Sequence, residues 1–341
     1  MAKSEIDVIV DEAGLEQASI RCKVAAVLFT YRCSIACKHC CFACSGTRSD
    51  KVMTPRQCVD ALAMLHETGR VIHIAGGEAM LYWDELAASL ELAHQEGVEP
   101  HFVETNCSFA VDDEIVRERL EYIAGQGVKG IFASADPFHQ EFVPADRFIR
   151  VRRLTKEIFG ERCFYGVGYS DEEVRTFEGM TRDLEAIRAY VRQHTPVMVG
   201  SAARELARYL DDHGPEEAKL PAHGWTTPAE RESCAQQFRA STMWELHIDP
   251  YNHMQTNCGI ILGNVSEMTP HQLFESGPEQ VNRFVRVLSL GGPLALARLA
   301  EEEYGYRMPE RVSQRCELCY DTRRHLRRSH PEIFGPAEVY D

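Results

Sequence analysis

The chain has 341 residues, 44% of them hydrophobic and 26% charged, an ordinary globular mix that can bury a core in one large or two unequal domains. Thirty-seven basic against fifty-two acidic residues give a formal charge of −15. Such a surface repels phosphate backbones and argues against nucleic acid as a partner. No apolar run reaches the roughly 18–20 residues that span a bilayer. The acidic, mixed stretch from Met1 to Gln17 is unlike a signal peptide. A cytoplasmic location with no membrane association is therefore expected.

From Lys23 to Gly200 short apolar strands alternate with amphipathic helices. The pattern predicts strands at Lys23–Tyr31, Val71–Ala75, Pro100–Thr105, Gly130–Ala135, Cys163–Tyr169 and Pro196–Val199. It predicts helices at Thr54–Thr68, Trp83–Glu96, Asp112–Ala124, Ala145–Phe159 and Thr181–His194, the first with Thr54 as N-cap and Pro55 behind it. Six β-then-α repeats imply an α/β fold with a parallel sheet and right-handed crossovers, a partial (β/α)6 TIM-like barrel. After Asp211 the composition shifts, and the Pro- and Gly-rich stretch 213–233 reads as a linker. Beyond it Trp244–Ile248 and His253–Asn257 flank a turn at Asp249–Asn252, and helices follow near Thr269–Glu275, Pro278–Leu288 and Pro293–Tyr304. The expected organisation is a barrel over 1–212, a linker, and a smaller hairpin-and-helix domain over 234–341.

Thirteen cysteines are too many for a reducing compartment unless they are core thiols, metal ligands or redox groups. Cys33, Cys37 and Cys40 have the spacing C-x3-C-x2-C directly after the first strand. Three thiolates are one short of a closed site, so a four-iron cluster held by them keeps one iron open. An open iron can chelate the amino and carboxylate groups of S-adenosylmethionine (SAM), whose reductive cleavage gives a carbon radical. The rival is a zinc site formed by Cys33, Cys37, Cys40 and Cys44, and with it a non-catalytic zinc-binding scaffold.

The cysteine spacing resembles that of the radical SAM superfamily, and further residues extend the resemblance. Gly76-Gly77-Glu78 after the second strand looks like the family's glycine-glycine-acid motif, which implies that they bind the SAM amino group. Asn106 follows the third strand, Ser134 with Asp136 ends the fourth, and Tyr169 in Gly166-Val167-Gly168-Tyr169 lies on the fifth, where the family contacts SAM. All fall at C-terminal strand ends, the catalytic rim of a β/α barrel. The resemblance implies SAM, a [4Fe–4S] cluster and a flavodoxin- or ferredoxin-type electron donor.

Cys316-Glu-Leu-Cys319, with Cys234 before the strand near Glu245 and Cys258 after the hairpin, resembles the short "twitch" form of the auxiliary (SPASM-like) domain of these enzymes. It implies a second [4Fe–4S] cluster on Cys234, Cys258, Cys316 and Cys319, closed to substrate and suited to electron transfer. Cys40-Cys41-Phe42-Ala43-Cys44-Ser45, Asp136-Pro137-Phe138-His139 and Val199-Gly200-Ser201-Ala202-Ala203 resemble segments of radical SAM peptide epimerases. That resemblance implies a ribosomally made peptide as substrate. With only about 22 residues before the first strand, no N-terminal peptide-recognition domain is expected, which weakens the peptide reading without excluding it.

Epimerisation returns a hydrogen from a donor thiol. In those epimerases a cysteine adjoins an auxiliary ligand, but here Gly259 follows Cys258. Cys107 is the expected substitute, with Cys41 and Cys44 as further candidates. Without a donor the substrate radical is oxidised, as in the twitch-bearing dehydrogenases of aminocyclitol antibiotics, and the substrate is then a small natural-product precursor such as an amino sugar or cyclitol. His139 is a candidate acid/base or substrate contact.

Overall fold

The computed structural model describes residues 5–166, 168–210, 214–215 and 234–340. Its described residues divide into two compact units. One is drawn from Met1–Ile35, Ser45–Asp183 and His247–Tyr251, the other from Ala36–Cys44, Leu184–Leu246 and Asn252–Asp341. The expected linker, apart from Gly214 and Pro215, lies outside the described residues, as does Val167.

In the first unit, helices α1 (Glu5–Ala13) and α2 (Leu15–Cys22) precede five strands: β1 (Val24–Leu28), β2 (Val71–Ala75), β3 (Phe102–Thr105), β4 (Gly130–Ala133) and β5 (Phe164–Gly166). All neighbouring pairs are parallel, in the order β5-β4-β3-β2-β1. Helices α3 (Pro55–His66), α4 (Trp83–Glu96), α5 (Asp113–Gly125), α6 (Pro137–Gln140) and α7 (Ala145–Phe159) lie between them in the chain. This is the α/β partial barrel expected from the alternation.

The chemistry of the termini explains the helix limits. Thr54 caps α3 in a reciprocal capping box with Gln57, and Pro55 fills the first turn. Gly97 ends α4 in the left-handed conformation. Each helix buries one stripe, such as Val116, Leu120 and Ile123 on α5 or Phe148, Val151 and Leu154 on α7. Strands β1 and β2 are buried along their whole length, as parallel strands covered on both faces should be. Every fully buried Val, Ile or Leu of these layers contributes about 1.5–3 kcal/mol.

The sixth expected repeat is not formed. Pro196–Val199 is a loop, bracketed by a proline that lacks the ladder donor and by the turn at Gly200. Instead β6 (Glu245–Ile248) follows β1 in the sheet order. Its extension is fixed to the first unit by Asp249, whose Oδ2 accepts from the buried Tyr31 hydroxyl at 2.9 Å. Lys51 lies 4.1 Å over the Tyr251 ring beside it.

The second unit contains the antiparallel pair β7 (His253–Thr256) and β8 (Ile261–Asn264). Its helices include Leu184–Gln193, Pro270–Ser276, Arg283–Tyr304 and Arg315–Leu326. The predicted break between two helices near residue 290 is present as a kink inside Arg283–Tyr304, at Gly292 (φ 68°) before Pro293. Among the described residues no helix is long and apolar enough to cross a membrane.

Candidate radical SAM and iron–sulfur sites

The C-terminal ends of β1, β2 and β3 converge on Glu78. Gly77 N–H donates to the Thr30 carbonyl at 2.7 Å and Glu78 N–H to the Arg32 carbonyl at 3.0 Å. This docks the strand-end loop against the chain leading to Cys33. The approach is so close that a Cβ on Gly77 would lie 2.1 Å from the Arg32 oxygen, so only glycine fits.

The Glu78 side chain is buried, and its carboxylate accepts from Thr105 Oγ1 (2.9 Å), Asn106 N–H (2.7 Å) and Met80 N–H (3.2 Å). Burial still dominates and raises the carboxyl from 4.5 to about 7. Asn106 Nδ2 donates to the Cys33 sulfur at 3.3 Å and to Ser34 Oγ at 3.2 Å, while its Oδ1 accepts from Ser108 N–H at 2.8 Å. The asparagine thus shapes its own turn and holds the Cys33 thiol. Ser34 opens on a cleft of about 570 Å³ whose wall includes Met80, Ser108, Phe142 and Arg147.

Cys107, in the same loop, has φ +65° and is fully buried. Burial, with the Glu78 charge adding to it, pushes its thiol well above the ordinary value. After β4, Ser134 N–H donates to the Thr105 carbonyl at 3.1 Å. The Asp136 carboxylate caps α6 through the amides of Phe138 (2.8 Å) and His139 (3.1 Å) and meets His139 Nδ1 at 2.7 Å. A proton held on Nδ1 leaves Nε2 as the basic nitrogen of the ring. Tyr169 packs its ring edge-on against Phe177 at 4.8 Å, and its carbonyl accepts from Arg152.

One face of β2–β5 carries groups that the sequence reading did not single out. His73, Phe102, Glu104, Phe132 and Tyr165 share it by register. His73 Nδ1 lies 3.0 Å from Glu104 Oε1, and the His73 ring lies 4.4 Å from that of Phe102. Glu104, Phe132 and Tyr165 keep partial exposure. The available signal was a histidine and a glutamate interrupting apolar parallel strands.

The remaining thiols of the cysteine loop belong to the second unit. Cys40 N–H donates to the Cys37 carbonyl at 3.1 Å, and Cys44 N–H donates to Cys40 Sγ at 3.3 Å. Hydrogen bonding from Cys44 lowers the Cys40 thiol to about 6 against the opposing effect of burial. The thiolate, which is the form that binds iron, is thereby favoured. Ser201 N–H donates to the Cys40 carbonyl at 2.9 Å, and a Cβ on Gly200 would lie 2.3 Å from the Cys41 oxygen. The Val199–Ala203 segment therefore braces the cysteine loop.

Elsewhere in the second unit Cys234, Cys258, Cys316 and Cys319 line one cavity, with Arg315, Arg323 and apolar walls from Val197, Phe238, Ile260 and Leu288. Cys316 and Cys319 share a face of the helix Arg315–Leu326 by their i, i+3 spacing. Cys258 sits in the β7–β8 connection, where Gly259 has φ +76°. A side chain at 259 would be strained there, and its Cβ would lie 2.9 Å from a Val339 methyl. Burial raises the Cys234 and Cys316 thiols, and takes Cys319 to about 12. Four cysteines lining one cavity, with no carboxylate among its described lining residues, fit a four-thiolate iron–sulfur group, whose binding would release their protons.

Residues 27–162 match the profile of the Radical SAM superfamily. That segment carries the cysteine loop and the glycine-glycine-acid strand end and is thus a radical SAM domain. No curated protein matches the chain. Two solved structures are similar in outline. One is BtrN in complex with AdoMet and 2-DOIA, at 12% identity over 79% of this chain and 87% of that one, with a TM-score of 0.44. The other is Streptococcus suis SuiB bound to S-adenosylmethionine, at 12% identity over 80% and 71%, with a TM-score of 0.34. At these scores neither likeness bears on substrate or reaction.

Proposed function

We propose that this is a radical SAM enzyme with two four-iron clusters that removes a hydrogen atom from a peptide or small natural-product precursor and oxidises the resulting radical. The observation that carries the reading is the convergence of Cys234, Cys258, Cys316 and Cys319 on one cavity beside two arginines. Cys33, Cys37 and Cys40 would hold the first cluster, and Gly76, Gly77, Glu78 and Asn106 would hold SAM, with Ser134, Asp136 and Tyr169 as further contacts. When bound, the first cluster and SAM supply the 5′-deoxyadenosyl radical that takes the hydrogen atom. Oxidation of the substrate radical then releases one proton and one electron. His139 Nε2, set by the Asp136 carboxylate, takes the proton. Cys234, Cys258, Cys316 and Cys319 would hold the second cluster, which would supply an acceptor for the electron.

Epimerisation is the second reading. It is favoured by the raised Cys107 thiol, which stays protonated as a hydrogen-atom donor must, and opposed by that residue's burial. Turnover in heavy water distinguishes the two. Loss of two hydrogens is the expected result, whereas uptake of one deuterium with no other mass change means epimerisation. Cys107→Ala should alter an oxidation by less than about tenfold and abolish an epimerisation that uses this donor. Reconstituted protein that binds iron yet forms no 5′-deoxyadenosine from SAM and dithionite would overturn both readings. One or two zincs, in place of about eight irons with acid-labile sulfide, would mark a scaffold.

The Glu78 carboxyl gives this reading a pH signature. Because folding raises it, its contribution to stability is present below 4.5 and lost as pH rises through about 7. The SAM amino group, neutral when it ligates iron, would donate N–H to this carboxylate and favour its ionised form, so SAM binding should release the Glu78 proton. SAM affinity, measured by equilibrium dialysis, should rise nearly tenfold per pH unit up to about 7 and level off above it. Glu78→Gln should flatten the profile, and an unchanged slope in that variant would refute the assignment.

A further inference from the structure

Arg323 is wholly buried in the second unit. It stands four residues beyond Cys319 on the helix Arg315–Leu326, so Cys316, Cys319 and Arg323 follow an i, i+3, i+7 stripe. Its Nη1 donates to the carbonyls of Cys258 (2.8 Å) and Gly259 (3.3 Å) and to the Tyr340 hydroxyl (2.7 Å). Its Nε and Nη2 have no hydrogen-bond partner among the described residues, although the side chain lines the four-cysteine cavity. A buried cation with unsatisfied donors is a costly arrangement unless an anion faces it. The cavity supplies the place for one. A four-iron core on four thiolates carries a net charge of about −2, which Arg315 and Arg323 together bring close to zero.

We propose that Arg323 is a positioning and potential-setting residue for the second cluster, donating its Nε and Nη2 protons to cluster or cysteine sulfurs and using its charge to favour the reduced state. The proposal rests on the reading that the cavity holds an iron–sulfur cluster. It makes the site an acceptor of electrons, because hydrogen bonds and positive charge at the sulfurs raise a cluster's potential. The alternative is a staple that only ties the helix to the Cys258–Gly259 turn through Nη1.

The test uses the full chain with Cys33, Cys37 and Cys40 all changed to alanine, reconstituted anaerobically, so that any cluster signal comes from the second site. The expected product holds about four irons and four sulfides and is followed by redox titration with electron paramagnetic resonance. Arg323→Gln should lower the midpoint by at least about 59 mV, a tenfold change in the reduced-to-oxidised ratio at fixed potential. Arg323→Lys, which keeps the charge, should recover most of that shift, which a staple would not require. If the glutamine variant does not retain its cluster, the unsubstituted Arg323 form decides. Its Fe–S stretching bands should shift on exchange into heavy water, and unshifted bands overturn the proposal. A bound cluster with an unmoved midpoint in Arg323→Gln overturns the role of Arg323 alone. Absence of iron from the triple-alanine protein instead overturns the second-cluster reading beneath it.

Discussion

Cys40→Ala is expected to abolish 5′-deoxyadenosine formation from SAM and dithionite, a loss of about 1,000-fold or more, equivalent to about 4 kcal/mol of transition-state stabilisation. The Cys40 thiolate is promoted by the Cys44 hydrogen bond that lowers it to about 6. Removing the sulfur takes away one of three expected iron ligands, and no carboxylate lies in the loop to replace it. Iron content should fall to about half, because the cavity lined by Cys234, Cys258, Cys316 and Cys319 has its own four sulfurs. Chromatographic assay of 5′-deoxyadenosine and a parallel iron determination decide the matter. Wild-type turnover in the variant would remove Cys40 from the ligand set.

Gly77→Ala should be nearly as damaging although it removes no functional group. The added Cβ would lie 2.1 Å from the Arg32 oxygen and 2.5 Å from the carbonyl carbon, both backbone atoms that a rotamer change cannot move. The Arg32 carbonyl would have to retreat, breaking the bond from Glu78 N–H that helps dock the loop before Cys33. Overpacking of this kind costs about 1–3 kcal/mol, or a fall of about 1–4 °C in melting temperature for a chain of 341 residues. Loss of SAM affinity should accompany it. Gly125→Ala, at the end of α5 with no atom within 4 Å of the new methyl, is the neutral control. Equal melting temperatures for the two variants would show that the strand-end loop tolerates movement.

The parts of the site that were legible in the sequence are those defined by spacing. The Cys33–Cys40 triplet, the Gly76–Glu78 strand end and the Cys316–Cys319 pair are local patterns, and each acquires its meaning within one turn or loop. Alternating periodicity likewise placed β1 to β5 and the helices α3, α4, α5 and α7. Pro196–Val199 misled because four apolar residues fit a strand and a buried loop equally well, and tertiary bracing of the cysteine loop decided for the loop. Arg323 was invisible for the opposite reason. A single arginine in a basic helix end reads as solvent-facing, and only the cavity reveals the two unpartnered donors. The His73–Glu104 pair depends on the register of two strands separated by α4, which one sequence does not display.

The chain order of the first unit has a consequence for biosynthesis. β1 is made early, yet the segment His247–Tyr251 that completes the same unit emerges more than two hundred residues later. A nascent chain of 212 residues already contains every strand from β1 to β5 but not β6 or Asp249, the partner of Tyr31. At about 5–20 residues per second, the further 39 residues to Tyr251 take roughly 2–8 s to synthesise. Throughout that interval one edge of β1 lacks its neighbour and is open to pairing with other chains. The first unit therefore cannot close until residue 251 has been made, some ninety residues before the chain ends.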